Sequence, residues 1–180
     1  ALGQYEQSLE HYRRGRDVMG TYDEYDRAEI QLAVIRAAIE TGNLELAQQE
    51  LGLLNGLELT GAQLAESVYQ SARISEKQGQ YETAYAQYDD LSGSRERWIS
   101  ARARYSRIKF SLKNGDIDVG VAIDQLERLR YAWRGDRFES QLLDDLANLY
   151  VNAGKYEEAL ETLRQGISYY PEVARQKRML

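Results

Sequence analysis

The chain contains no cysteine and only one proline, Pro171. The lack of cysteine excludes disulfides, thiolate metal ligands and a cysteine nucleophile, and it is compatible with a reducing cytosol and with a bacterial periplasm. Because proline interrupts helix interiors, its scarcity predicts a nearly all-helical protein, as does the abundance of Ala, Leu, Glu, Gln and Arg. The sequence contains no run of alternating β-branched residues that would predict a sheet.

Long apolar runs are also absent. No stretch approaches the roughly 18 apolar residues that a membrane-spanning helix requires, so no span is predicted. The first residues, ALGQYEQSLEH, contain neither an initiator methionine nor a signal-peptide pattern. We therefore expect the sequence to be part of a longer protein.

Residues that usually carry catalysis are scarce. His11 is the only histidine, and without cysteine it cannot complete a zinc site or a Ser-His-Asp triad. Acidic pairs such as Asp89 and Asp90 are neighbours in sequence, so on a helix they point about 100° apart and cannot face one substrate. We expect no enzymatic activity, no cofactor and no metal.

A segment of about ten residues recurs five times, each copy starting at a glycine. The copies start at Gly3, Gly42, Gly79, Gly115 and Gly154, which are 39, 37, 36 and 39 residues apart. A large residue follows two positions after each glycine (Tyr5, Leu44, Tyr81, Ile117, Tyr156), and a small residue follows five positions after it (Ser8, Ala47, Ala84, Gly120, Ala159). The fourth copy has about two extra residues after its glycine. This period predicts a repeat protein.

Helix start and stop signals recur in step with the glycines. Capping pairs open the segment before a glycine, as in Thr21 with Glu24, Thr60 with Gln63 and Asp136 with Glu139. The glycine then ends that helix, since it tolerates the left-handed backbone of a C-terminal cap. Each repeat is therefore predicted to be a hairpin of two helices. The tyrosines after the glycines are expected to pack within the hairpins.

The last repeat, LLDDLANLYVNAGKYEEALETLRQGISYYP, resembles the tetratricopeptide repeat (TPR) family. The resemblance is carried by Leu143, Leu146, Ala147, Tyr150, Gly154, Tyr156, Ala159, Leu163 and Pro171. It implies an all-α fold, a right-handed α-solenoid of about four and a half stacked antiparallel hairpins. The expected single domain spans 1–180, with a half repeat at 1–20, units at 21–58, 59–93, 94–135 and 136–171, and a further helix or cap starting at 172–180.

The resemblance also implies a binding groove, since the first helices of TPR hairpins line the concave surface where ligands bind. Carried over by position, the predicted groove residues are Arg36, Tyr69, Arg73, Lys77, Arg102, Tyr105, Lys109, Lys113, Asn148 and Asn152. Such donors with flanking tyrosines suit an acidic protein or peptide. Helix-surface pairs of Arg36 with Glu40 and of Arg73 with Glu76 support the alternative that these side chains are simply solvated.

The stretch RERWISARARYSRIKFSLK, from Arg95 to Lys113, concentrates positive charge in a chain of net charge −6. On a helical wheel its basic residues divide between two faces, separated by apolar stripes, one through Trp98, Ala101, Tyr105, Ile108 and Leu112 and the other through Ile99, Ala103 and Phe110. A nucleic-acid site favours one continuous basic stripe. We therefore predict no nucleic-acid partner.

These observations predict a non-catalytic protein–protein interaction scaffold or adaptor. The alternative is a structural or regulatory segment of a larger enzyme or envelope assembly, whose groove is filled by its own chain. A weaker rim surface is expected at Trp133, Arg134 and Arg137, where aromatic and basic residues alternate. Self-association through exposed solenoid ends is a further expectation.

Overall fold

A computed structural model describes residues 2–134 and 137–169, and all regular structure within them is helical. The described α-helices are α1 (Leu2–Gly15), α2 (Glu24–Glu40), α3 (Leu44–Leu54), α4 (Gly61–Lys77), α5 (Tyr81–Leu91), α6 (Arg97–Asn114), α7 (Val119–Ala132), α8 (Arg137–Asn152) and α9 (Tyr156–Tyr169), with a 3₁₀ helix at Arg16–Thr21. None of these helices is both long and apolar enough to cross a bilayer. The predicted all-α fold class is confirmed.

Four hairpins have the same turn, which the glycine repeat predicts. Gly42, Gly79, Gly115 and Gly154 have φ values of +78°, +77°, +80° and +72°. In each turn the N–H of the residue after the glycine donates to a carbonyl five residues back, as from Asn43 to Ala38 at 2.8 Å and from Lys155 to Tyr150 at 2.8 Å. This bond pattern is the Schellman motif, in which a left-handed glycine allows the chain to satisfy the last helical carbonyls. Gly3 instead lies within α1.

The hairpin of α6 and α7 carries the two extra residues that the sequence predicts. α3, α5 and α9 begin two residues after their glycines, whereas α7 begins at Val119, four residues after Gly115. Gly120, five positions after its glycine, is therefore not the small residue that packs in this hairpin. Gly120 is exposed, and Ala122, two positions further on, is fully buried in its place.

Helix starts agree only in part with the predicted capping pairs. At α4 the Thr60 side chain accepts from the Gln63 N–H and the Gln63 side chain accepts from the Thr60 N–H, which confirms a capping box. At α2 the cap is Asp23, whose carboxylate accepts from the Asp26 N–H at 2.8 Å. The Thr21 hydroxyl instead donates to the Val18 carbonyl in the 3₁₀ helix. Asp136, Pro171 and 172–180 lie outside the described residues.

The chain divides inside α6 into two compact units, Ala1–Ser100 and Ala101–Leu180. The core of the first unit is formed by the helices α1, α2, α3 and α4 and includes Leu9, Leu32, Ile35, Leu54 and Ile74. The core of the second unit is formed by the helices α6, α7, α8 and α9 and includes Tyr105, Leu126, Leu142, Leu146 and Ala159. Each unit therefore has its own apolar cluster, the main source of its stability. The single domain over 1–180 stays a prediction.

Two of the tyrosines that follow turn glycines are surface residues. Tyr81 and Tyr156 expose 41% and 64% of their surface, so the prediction that they are packing residues is wrong. By contrast Ala47, Ala84 and Ala159, five residues after their glycines, are at most 2% exposed. The small residue therefore marks the close contact between the helices of a hairpin, because only a short side chain fits there.

Candidate interaction surface on the first helices

In the first unit a chain of polar contacts connects α2 to α4, the first helices of two successive hairpins. Arg36 Nη1 donates to Glu66 Oε1 at 2.5 Å, and Gln70 Nε2 donates to the same oxygen at 3.4 Å. Arg73 Nη1 donates to Gln70 Oε1 at 3.1 Å, and its Nη2 donates to Glu40 Oε1 at 2.5 Å. We call these five residues the α2–α4 ladder. It contains two cations and two carboxylates linked through Gln70, so its charges balance within the unit.

Burial differs along the α2–α4 ladder. The Glu66 side chain is only 7% exposed, whereas those of Arg36 and Glu40 are 38% and 40% exposed. A buried carboxylate requires a cationic or hydrogen-bonding partner, which assigns Arg36 and Gln70 a structural role. Arg36 and Glu40 also keep enough surface for contact with another molecule.

The Arg73 guanidinium is held firmly in its charged form. Burial is the largest influence on its pKa and acts to lower it, but neighbouring Tyr69 and the Glu40 carboxylate together raise the pKa above the ordinary value. Arg73 therefore remains a cation at any physiological pH. An anionic ligand at this position would compete with Glu40 for the guanidinium rather than meet a free charge.

In the second unit, polar contacts also connect two first helices, α6 and α8. The Tyr105 hydroxyl donates to Asp145, and Lys109 Nζ donates to Asp145 Oδ2 at 2.8 Å. Lys109 Nζ also lies 5.2 Å from the centre of the Tyr105 ring, and the Arg102 guanidinium lies 5.5 Å from the centre of the Phe138 ring. We call these residues the α6–α8 cluster. Its cations lie over aromatic faces, where the ring quadrupole stabilises them.

The two tyrosines predicted to flank the groove belong to the core. Tyr69 and Tyr105 are 7% and 5% exposed. Tyr69 packs at 5.9 Å from the ring of Tyr88, and Tyr105 meets Phe138 edge to face at 5.2 Å. They therefore offer little aromatic surface to a ligand.

The remaining predicted groove residues differ in exposure. Lys77, Lys109, Lys113, Asn148 and Asn152 are exposed, and Arg102 is half-buried. The cations that the sequence pairs along one helix instead contact a neighbouring helix, since Arg36 meets Glu66 and Arg73 meets Glu40. Sequence reasoning missed the roles of Glu66, Gln70 and Asp145. Only their spacing from the turn glycines signals that they lie on first helices.

The predicted rim is built around Tyr131. Tyr131 is 68% exposed, and the guanidinium groups of Arg130 and Arg134 lie 5.6 Å and 5.9 Å from its ring centre. Trp133 is partly buried against the core of the second unit, which agrees with a residue that holds the loop. The Arg137 side chain is not among those that the structure describes.

In the described part of the chain no group of three or more histidine, aspartate or glutamate side chains could hold a metal ion. The polar contacts of the α2–α4 ladder and the α6–α8 cluster consist of cations, carboxylates, the Gln70 amide and the Tyr105 hydroxyl. Such groups recognise a partner through charge-assisted hydrogen bonds.

Comparison with known proteins agrees with this architecture. Residues 140–173 match the family model of the tetratricopeptide repeat, and no curated protein sequence matches the chain. The chain is similar to two crystal structures of nearly identical TPR-like repeats from a Podosopora anserina protein described as a kinesin light chain. The first is 19% identical, covers 96% of this chain and 95% of that chain, and has a TM-score of 0.52. The second is also 19% identical, covers 96% of each chain, and has a TM-score of 0.50.

The family match covers the predicted last repeat, and the structural likeness extends over nearly the whole chain. Repeats of this family generally mediate protein–protein interaction, and their fold is typically a non-catalytic scaffold. Residues 140–173 therefore match one tetratricopeptide repeat, and the chain has a TPR-like helical-repeat fold.

Proposed function

We propose that this chain is a non-catalytic scaffold that binds a protein or peptide through its first helices. The observation that carries the proposal is the recurrence of polar contacts between successive first helices, in the α2–α4 ladder and in the α6–α8 cluster. Both present a partly exposed cation beside a carboxylate. The side chain of Arg36 is 38% exposed and that of Lys109 is 50% exposed.

The ligand binds by partner exchange. Arg36, Arg73 and Lys109 already contact Glu66, Glu40 and Asp145 at 2.5, 2.5 and 2.8 Å. An acidic side chain of the peptide contacts the cation in place of the protein's own carboxylate or together with it. This exchange takes place at the more exposed carboxylates, Glu40 and Asp145. Because one ion pair is exchanged for another, the net electrostatic gain is small, and specificity depends on how the ligand's acidic groups fit the contacts of each surface. Such surface contacts weaken as salt rises.

The double variant Arg73→Gln with Lys109→Gln tests this proposal. Each glutamine keeps hydrogen-bonding capacity but removes one positive charge from its surface. We expect proteins captured from a lysate by the 180-residue chain at low salt to be lost with the variant. The matched control is Arg13→Gln with Arg14→Gln, which removes the same charge from α1, where these side chains are 63% and 73% exposed.

A partner retained by Arg73→Gln with Lys109→Gln would contradict binding through the first helices. Capture of no protein by the wild-type chain would favour a structural or regulatory segment of a larger assembly, with the surface filled by its own chain. Thermal unfolding of both variants by circular dichroism separates a lost binding contact from a lost fold.

A further inference from the structure

The last helix, α9, carries an exposed apolar stripe. Its members are Tyr156, Leu160, Leu163 and Ile167, which are 64%, 55%, 39% and 48% exposed. Their spacing of four, three and four residues places them on one face of the helix. The buried residues Ala159 and Thr162 lie on a different face. Within the described part of the chain, α9 therefore has a second apolar face beside the one that packs in its own hairpin.

One position of the equivalent face is covered on the other second helices, although Tyr81 and Tyr85 of α5, which correspond to Tyr156 and Leu160, are 41% and 37% exposed. Nine residues after the turn glycine, Tyr88 of α5 is fully buried and Leu51 of α3 is half-buried. Allowing for the two extra residues before α7, its equivalent is Leu126, which is 1% exposed. Leu163 of α9 breaks this pattern at 39% exposed. Adjacent exposed residues of this size mark an interaction surface.

We propose that this stripe binds a second copy of the chain, with two α9 helices packed antiparallel about a two-fold axis. In this arrangement Leu160 of one copy meets Leu163 of the second copy, and Tyr156 meets the second copy's Ile167. Each contact occurs twice, because a two-fold interface uses the same patch on both subunits. The spacing of the four residues is that of the core positions of an antiparallel coiled coil.

Charge complementarity selects the antiparallel orientation. Glu157 and Arg164 are exposed, and each follows directly after a stripe residue, so both lie along the same edge of the stripe. Antiparallel packing places Glu157 of one copy near Arg164 of the second copy, and the symmetry repeats the pair. In a parallel two-fold pair this edge lies on opposite sides of the interface in the two copies, so neither contact between Glu157 and Arg164 forms.

The stripe is its own best apolar complement among the described helices. The outward residues of α1 include Gln4, Gln7 and His11, so stacking α1 onto the stripe would bury polar groups. Exposed large apolar residues on the other second helices number one or two for each helix, such as Leu53 on α3 and Val121 on α7. A contact made by one pair of short helices is below the standard interface size, so the dimer forms reversibly with rising concentration.

Sedimentation velocity of the 180-residue chain over a range of concentrations tests the proposal. We expect a monomer–dimer equilibrium in which Leu160→Glu and Leu163→Glu each weaken dimerisation by at least about tenfold, equivalent to ~1.4 kcal/mol. The matched control is Leu53→Glu, since Leu53 is 48% exposed on α3, and it should leave the equilibrium unchanged. Circular dichroism verifies that each variant is folded.

A charge exchange tests the orientation. Glu157→Arg and Arg164→Glu should each weaken the dimer, and the double variant should restore it, because the pair is re-formed with its signs reversed. A wild-type chain that stays monomeric at every concentration would overturn the proposal, as would a dimer insensitive to Leu160→Glu. A dimer that the double variant fails to restore would overturn the antiparallel register.

Discussion

Glu50 is fully buried although it carries a carboxyl group. Its Oε2 accepts a hydrogen bond from the Tyr12 hydroxyl at 2.7 Å, and its Oε1 lies 3.7 Å from the Arg16 guanidinium. A buried acidic group is stable only when such partners replace its water. Glu50 belongs to α3, whereas Tyr12 and Arg16 lie in α1 and the 3₁₀ helix. One residue therefore holds the start of the chain on the hairpin that follows.

The Tyr12–Glu50 contact predicts a loss of stability at alkaline pH. Burial, followed by the hydrogen bond and charge of Glu50, raises the pKa of Tyr12 from 10.0 to about 12. Burial and the neighbouring glutamates Glu76 and Glu127 raise the pKa of Tyr88 and of Tyr150 in the same direction. An unfolded tyrosine loses its proton near pH 10, so the folded state holds more protons above that pH.

The stabilising contribution of Tyr12 is therefore complete below about pH 10 and is lost as the pH rises toward about 12. Urea unfolding at successive pH values measures the free energy of unfolding. We expect it to fall over this range in the wild-type chain and to fall less steeply in Tyr12→Phe. Tyr25→Phe is the control, since Tyr25 is 56% exposed. Equal slopes for all three proteins would contradict the assignment.

Among single residues, the sequence predicted the cations of the first helices but not their partners. The sequence shows directly that Arg36, Arg73 and Lys109 are cations and that they share a common position before a turn glycine. Their contacts with Glu66, Glu40 and Asp145 connect residues 30, 33 and 36 positions apart. Such pairs depend on how helices pack, whereas sequence alone suggests contacts within one helix.

At the level of the helix hairpin, the turn glycines set the architecture. A residue with φ near +77° is readily accommodated only when it lacks a Cβ. The positions of the turns can therefore be read from the spacing of the glycines, without knowing how the helices pack. Helix starts are less readable. Thr21 with Glu24 has the sequence of a capping box, but the 3₁₀ helix delays α2 until Asp23 supplies the cap.

A glycine in a turn and a glycine within a helix predict opposite effects of the same substitution. Gly79→Ala places a Cβ on a residue with φ +77°, and we expect it to destabilise the protein by about 1–2 kcal/mol. Gly52→Ala lies within α3, where the added Cβ meets no atom within 4 Å, and it should stabilise the protein by about 0.4–1 kcal/mol. Thermal unfolding measures both changes.

The control for this pair is internal, because each variant adds one methyl group. If Gly79→Ala proved as stable as the wild type, the left-handed turn would not be required. A destabilising Gly52→Ala would mean that α3 tolerates no side chain on that face.

At the scale of the whole molecule, stability resides in two cores. Leu32 in the first unit and Leu146 in the second are both fully buried. The chain's two tryptophans divide between the units, since Trp98 precedes the division at Ser100 and Trp133 follows it. Each unit therefore has an intrinsic fluorescent reporter.

These reporters allow a test of independent stability. Leu146→Ala should cost about 2–5 kcal/mol in the second core. In a repeat protein the stability of a unit depends on its own contacts and on its nearest neighbours. We therefore expect the denaturant midpoint reported by Trp133 to fall further than that reported by Trp98, measured in Trp98→Phe and Trp133→Phe backgrounds. Leu32→Ala should reverse the order, and equal shifts at both tryptophans would indicate one cooperative transition.

The offset between α6 and α7 has a practical consequence. Two additional residues enter the turn after Gly115, yet the interior alanine is regained at Ala122. Close packing of the hairpin thus requires a small side chain where α7 contacts its partner helix, and it does not depend on the length of the turn before that residue. This turn is a natural place to splice in an epitope or a fluorescent label, because the hairpin already accommodates a longer connection there.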